Sequence, residues 1–267
     1  MCARLVTAGE LTVSVTDRGQ GPPLLLVHAF PLSARMWTPQ LEAGPEGWRL
    51  IAPDLRGFGA SPPGTVAPRH VRDHAADLLA LVDHLQCGPV VLAGLSMGGY
   101  IAFECWRQRP DLIRALVLAD TRADPDTDDS RARRQLLQQQ AAAAGTGAVI
   151  DAMLPMLLGA SSQARDPHLA VQVRAWAMEN TAAGVIDALE VLRTRPDSRP
   201  DLARIACPVL VLVGAEDTIT PPTLARTIAE GVADGVCVEL ADAGHLASIE
   251  QPRAFTQALS TFLGRLS

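Results

Sequence analysis

At 267 residues, with 23 basic against 29 acidic side chains and a net charge of −6, the chain can bury one large core and carry one inserted subdomain. It offers no electrostatic footprint for nucleic acid or an anionic membrane. No basic-then-apolar export signal follows Met1-Cys2-Ala3-Arg4, and no apolar run approaches the roughly 20 residues that span a bilayer, so a cytoplasmic protein is expected.

Strand signals run near residues 3–7, 10–17, 24–28, 49–53, 90–95 and 115–119. The first two alternate, which suits an antiparallel edge; the later ones are continuously apolar, as in a parallel sheet covered on both faces. Helical spacing near 69–86 and 97–109 supplies crossovers. Strand signals then stop, returning only at 208–213 and 236–240, with helices near 222–231 and 252–264. The stretch between opens on an acidic linker, Asp124-Pro125-Asp126-Thr127-Asp128-Asp129-Ser130, and closes on Arg195-Pro196-Asp197-Ser198-Arg199-Pro200. Inside it, Ala/Gln-rich and Leu/Met-rich windows predict three or four short helices.

The most informative stretch is Gly94-Leu95-Ser96-Met97-Gly98-Gly99. An apolar run, Pro89 to Ala93, precedes it, and a helical run from Tyr100 has no breaker until Pro110. Strand, G-x-S-x-G, helix is the context of a nucleophile elbow: the turn pushes a serine Oγ out above the sheet, and the glycines let strand and helix pass closely. A bare Gly/Ser turn would need neither flank. Two partners follow. Asp217 stands where the strand Val209–Val213 runs out through Gly214-Ala215-Glu216, and His245 stands just past the strand Val236–Leu240. Both belong at the sheet edge that carries Ser96. A serine hydroxyl is a poor nucleophile at neutral pH, so an imidazole must take its proton, while a carboxylate fixes the imidazole tautomer.

Other polar residues carry weaker signals. His70, His74, His84 and His168 have no ligand partner at metal spacing, and the five cysteines, at positions 2, 87, 105, 207 and 237, are scattered and show no C-x-x-C. No metal and no organic cofactor is expected. Asp54, Arg56 and Asp242 suit turn and loop hydrogen bonding.

With these motifs the chain resembles the α/β-hydrolase-fold enzymes over essentially its whole length. It is most similar to the bacterial esterases, 3-oxoadipate enol-lactonases and cofactor-free haloperoxidases. The resemblance rests on His28-Ala29-Phe30-Pro31-Leu32-Ser33, Ala52-Pro53-Asp54-Leu55-Arg56-Gly57-Phe58-Gly59-Ala60-Ser61, the elbow, Gly214-Ala215-Glu216-Asp217 and Gly244-His245, and on the chain order Ser, Asp, His. It implies an α/β fold: a mostly parallel eight-stranded sheet flanked by helices, with core residues 1–120 and 201–267 around a helical cap at 121–200. It also implies a catalytic triad of Ser96, His245 and Asp217, with an oxyanion hole from the amides of Phe30 and Met97. Ala29 departs from the glycine usual after the histidine. Asp120, past the sixth strand, holds the place where some relatives keep the triad acid, and His28 is a structural member of the oxyanion loop.

In the cap, Met153, Met156, Leu157 and Trp176 are candidate pocket residues, with Phe30 and Trp37 as an aromatic wall. Ordinary helix packing accounts for any one of them; as a set, some should line the passage to Ser96. Arg131, Arg133, Arg134 and Arg174 could reach an acidic substrate. The leading expectation is a serine hydrolase of small carboxylic esters or lactones. The alternatives are an enol-lactonase or C–C bond hydrolase of aromatic breakdown, and a perhydrolase or ligand receptor with the same triad. Its partner would be a small molecule, and the enzyme a monomer or homodimer.

Overall fold

The computed structural model describes residues 3–266, so Cys2 lies outside the described residues. Eight strands form one sheet: β1 (Arg4–Ala8), β2 (Leu11–Arg18), β3 (Pro23–Val27), β4 (Arg49–Pro53), β5 (Val90–Leu95), β6 (Ile113–Ala119), β7 (Val209–Gly214) and β8 (Gly235–Leu240). Their order across the sheet is β1-β2-β4-β3-β5-β6-β7-β8. β2 runs antiparallel to both its neighbours, and every pairing from β4–β3 to β7–β8 is parallel. This is the α/β-hydrolase arrangement expected from the motifs.

The helices are α1 (Thr38–Ala43), α2 (Val71–His84), α3 (Met97–Gln108), α4 (Asp128–Ala144), α5 (Thr146–Leu157), α6 (Ala160–Arg165), α7 (Pro167–Ala177), α8 (Ala182–Arg193), α9 (Pro222–Gly231), α10 (Ala247–Glu250) and α11 (Pro252–Gly264). Apart from Arg114 near the start of β6, the strands β5 to β7 carry no charged or polar side chain, because helices cover both faces. Successive residues go to opposite sides: Val90 and Leu92 join a core with α2, α3 and α9, while Val91, Ala93 and Leu95 join one with α1, α10 and α11. Since β5 to β8 are parallel, the loops that follow them all leave from one edge. That edge collects Ser96, Asp120, Asp217 and His245.

Between β6 and β7 the chain is helical, with five helices where the sequence predicts three or four short ones. The difference lies in the junctions. Gly145, at φ +77°, both ends α4 and starts α5, and Asp166 alone separates α6 from α7. Single-residue breaks leave no loop for composition to reveal, and α4 reaches 17 residues. The short α1 was not marked by any apolar periodicity.

Two glycines of the elbow are demanded by close approach. A Cβ on Gly94 would stand 2.1 Å from the Gly98 carbonyl oxygen, and one on Gly98 would stand 2.3 Å from that of Val27. Both obstacles are backbone, which cannot swing aside. Gly94→Ala is therefore expected to destabilise the fold by about 1–3 kcal/mol, the usual cost of overpacking. Urea unfolding checks this; an unchanged midpoint would show that strand and helix can separate without loss.

Candidate active site

Ser96 is the residue between β5 and α3, at φ +53° and ψ −110°. An L-residue holds such a backbone only when its surroundings over-determine it. They do so here: Ser96 N–H donates to the Ala119 carbonyl at 2.9 Å, and the Ser96 carbonyl accepts from Gly99 N–H and from the Thr121 hydroxyl, each at 2.9 Å. Its chain neighbours diverge, Leu95 into one core and Met97 into the other, so the serine stands at the seam between them.

His245 follows Gly244 in the loop after β8, and its Nε2 lies 2.9 Å from Ser96 Oγ. Its Nδ1 lies 2.8 Å from Asp217 Oδ2. The carboxylate accepts at Nδ1, which places the ring proton there and leaves Nε2 free to accept the serine proton. Asp217 is itself held in the turn after β7, where Oδ1 accepts from the N–H groups of Ile219 and Thr220 at 2.8 and 2.9 Å and Oδ2 from the Thr220 hydroxyl at 2.6 Å. Burial acts to raise its pKa, but His245 and the hydrogen bonds from His245 and Thr220 outweigh it, leaving Asp217 below the ordinary carboxylate value. Relative exposures of 9% for Ser96, 3% for Asp217 and 2% for His245 leave the serine as the most accessible of the three.

Asp120 reaches the same edge but not the imidazole. Its Oδ1 accepts from Gly214 N–H at 2.9 Å and its Oδ2 from Ala247 N–H at 3.1 Å, bracing the loops that carry Asp217 and His245. Burial, reinforced by the nearby Asp217, raises its pKa well above the carboxyl range. The carboxylate in hydrogen-bond contact with His245 is that of Asp217.

Met97 opens α3, and at the first position of a helix its N–H has no intrahelical acceptor. Phe30 lies in the same core as Met97, packed edge-on against Phe58 at 6.5 Å between ring centroids. The loop between them is shaped by His28, whose Nε2 accepts from Leu55 N–H at 3.0 Å while Nδ1 lies 3.0 Å from the Ala29 carbonyl. Burial pushes the His28 pKa down, which keeps it neutral and suits one donor and one acceptor. Ala29 is itself fully buried, with its methyl in the α1, α10 and α11 core. Asp54 takes a turn-holding part, accepting from the N–H groups of Ala34 and Ala60 at 2.9 and 3.0 Å.

The candidate pocket residues separate. Met153 is half-buried and packs against both cores. Met156 turns its sulfur toward Arg133 at 3.5 Å, on the exposed side of the insertion. Leu157 is fully buried, and Trp176 is covered by the Arg35 guanidinium at 5.8 Å. Trp37 is buried against Phe255, with ring centroids 5.9 Å apart. Two polar residues that the sequence reading did not single out also stand here. Glu250 accepts from the N–H groups on both sides of His245, and Asn180 bonds the loop that carries Phe30, at Pro31. Among the described residues no group of three His, Cys, Asp or Glu side chains could hold a metal ion.

A family model described as the alpha/beta hydrolase fold matches residues 22–252. The 3-oxoadipate enol-lactonase 2 of Acinetobacter baylyi is 26% identical over 265 residues, covering 98% of this chain and 97% of the relative. A thermophilic esterase from Thermogutta terrifontis superposes with a TM-score of 0.91 at 35% identity, covering 100% of this chain and 99% of its own. The enol-lactonase from Burkholderia xenovorans LB400 gives a TM-score of 0.90 at 27% identity, covering 98% of this chain and 100% of its own.

The geometry distinguishes the two acids. In Asp217→Asn the low-field proton resonance of the His245 Nδ1–H is expected to disappear, and ester turnover to fall by about 10⁴ if a serine-protease triad is a fair guide. Asp120→Asn should keep the resonance and lose far less activity. The opposite pattern would transfer the orienting role to Asp120.

Proposed function

The chain belongs to the α/β-hydrolase fold family, and from that premise we propose that it is a serine hydrolase cleaving small, uncharged carboxylic esters or lactones. The observation that carries the reading is the unbroken hydrogen-bond chain from Ser96 through His245 to Asp217, on an elbow whose backbone is held at φ +53°. In this reading His245 Nε2 takes the hydroxyl proton as Ser96 Oγ attacks the carbonyl carbon. The amides of Phe30 and Met97 face the oxyanion, where losing one donor typically costs on the order of 100- to 1000-fold. The tetrahedral species collapses as the imidazolium returns the proton to the leaving alkoxide, leaving an acyl group on Ser96. Water, deprotonated by His245, then releases the acid.

The preference for uncharged substrates is supported by the ion pairs that hold three of the four arginines considered for an acidic substrate, while the fourth, Arg133, turns to the Met156 sulfur on the exposed side. Arg131 pairs with Asp128, Arg134 and Arg195 with Asp126, and Arg174 with Asp151. A carboxylated lactone or a C–C hydrolase substrate would have to compete with these bonds for its own countercharge. Met153 instead presents an apolar surface between the two cores, with the helical insertion serving as a cap. We take the enzyme to act on its small-molecule substrate in the cytoplasm, as a monomer or homodimer. Among the described residues no helix is long and apolar enough to cross a membrane.

Ser96→Ala tests the reading directly. It should lower turnover of an activated acetate ester by about 10⁶, as in other serine triads, while stability changes by less than about 1 kcal/mol. Activity retained within tenfold would falsify the covalent route.

Specificity is tested on an ester series. Each methylene buried in an apolar site is worth about 0.8 kcal/mol, so kcat/KM should climb roughly fourfold per carbon until the pocket is full, then drop. Met153→Gln should flatten the climb and spare acetate esters. A profile that Met153→Gln leaves unmoved would place the acyl pocket elsewhere.

A further inference from the structure

Two buried polar side chains join the helical insertion to the loops that carry the reacting groups. Glu250 lies five residues past His245, and its carboxyl takes three backbone N–H groups. Oε1 accepts from Leu246 at 3.0 Å, while Oε2 accepts from Gly244 at 2.9 Å and from Gly159 at 2.8 Å. Gly244 and Leu246 flank His245 in sequence; Gly159 belongs to the insertion. Asn180, between α7 and α8, donates from Nδ2 to the Pro31 carbonyl at 2.7 Å and accepts at Oδ1 from Gly59 N–H at 2.8 Å. Its own carbonyl is held by the Thr146 hydroxyl at 2.9 Å. Pro31 is the residue after Phe30.

We propose that Glu250 and Asn180 are positioning residues through which docking of the insertion sets the placement of His245 and of the Phe30 amide, so that the insertion governs turnover as well as substrate choice. The proposal rests on the serine-hydrolase reading of Ser96, His245 and Asp217. Its physical core is the shared acceptor: one oxygen of Glu250 holds an N–H of the histidine loop and an N–H of the insertion together. The two backbones are in close contact there. A Cβ on Gly159 would lie 2.8 Å from Gly244 N, and one on Gly244 would lie 2.3 Å from Gly159 N. Neither strand of chain can shift without disturbing that carboxyl, and the carboxyl cannot shift without moving both peptide groups beside His245. Asn180 does the same on the opposite side, where the Pro31 carbonyl and the Gly59 amide saturate its side-chain bonds in one direction each. A displacement of about 1 Å in a reacting group costs on the order of 100-fold in rate, so small shifts at these joints should be read out as turnover.

The test compares wild type, Ser96→Ala, Glu250→Gln, Asn180→Asp and Gly159→Ala on acetate and longer esters, with kcat normalised to the burst of alcohol released per active site. Glu250→Gln keeps the shape but turns an NH₂ group toward an N–H donor. Asn180→Asp keeps the Gly59 contact and sets an oxygen against the Pro31 carbonyl. Gly159→Ala changes neither side chain, but its Cβ would meet Glu216 Oε2 at 2.5 Å and Gly244 N at 2.8 Å, forcing the insertion off the histidine loop. Each is expected to lower kcat per site by roughly 10- to 100-fold, with KM and chain-length preference little changed. A merely structural role would lower the melting temperature and leave kcat per titrated site at the wild-type value; kcat within twofold of wild type, or a change confined to KM or chain length, overturns the proposal. If Glu250→Gln or Asn180→Asp does not fold at the assay temperature, Gly159→Ala decides by the same criterion. An inactive wild type, or an active Ser96→Ala, would instead overturn the underlying hydrolase reading, and the positioning role with it.

Discussion

The backbone of Ser96 is the constraint on which the rest of the site depends. Holding a non-glycine residue at φ +53° costs on the order of 1–3 kcal/mol. The return is geometric: the hydroxyl stands clear of the sheet edge, at the start of a helix. The fold sustains the cost through contacts that have no other outlet. The serine N–H bonds to the neighbouring strand at Ala119, its carbonyl is bonded by Thr121, and the Thr121 side chain fills the space that a Cβ on Gly99 would enter. Relaxing the turn would break these bonds and part β5 from α3 together.

Charge at this edge is controlled with equal economy. Two carboxyls stand near one imidazole, and both could not ionise there cheaply. Environment separates them. Asp217 receives four donors, counting the imidazole, and lies below the ordinary carboxylate value despite its burial. Asp120 receives two backbone N–H groups in a fully buried setting and is raised far above it. One acid is thereby the electrostatic partner of His245, and the other is a brace between loops. The positions of Asp120 and Asp217 at the ends of adjacent strands do not reveal this division; only the count of donors around each does.

That contrast marks how far the sequence could be read. The strands β5 to β7 were legible because a parallel strand covered on both faces is nearly continuously apolar, and Ser96 and Asp217 were legible because each follows such a strand; His245 was legible from the Gly-His pair after the edge strand β8. Glu250 and Asn180 were not. Their partners are backbone groups, and for Asn180 these lie 121 and 149 residues away in the chain; backbone atoms leave no trace in side-chain pattern. The pocket was hard to read for a different reason. Trp37, Leu157 and Met153 are all large apolar side chains, yet Trp37 packs at a tilt against Phe255, Leu157 is fully buried, and Met153 bridges two cores. Periodicity reports that a residue faces inward, and a substrate passage and a core look alike from the helix that borders them.

The attachment of the insertion follows from the same bookkeeping of polar groups. At its roots Asp126 takes both Arg134 and Arg195, the Arg195 guanidinium covers the Tyr100 ring at 4.4 Å, and Ser198 N–H bonds back to the Ala123 carbonyl at 2.7 Å. Near the histidine loop, Glu216 accepts from Ser161, and the Asp242 carbonyl accepts from the Ser162 hydroxyl at 2.9 Å. Hydrogen bonds to charged groups contribute about 1.5–3 kcal/mol each, and a donor left buried without a partner costs a similar amount. Swinging the whole insertion away would break several such bonds at once. Rotating a single thioether such as Met153 breaks none of them. Side-chain rearrangement therefore costs less than displacing the insertion, which stays one unit with the two loops it grips.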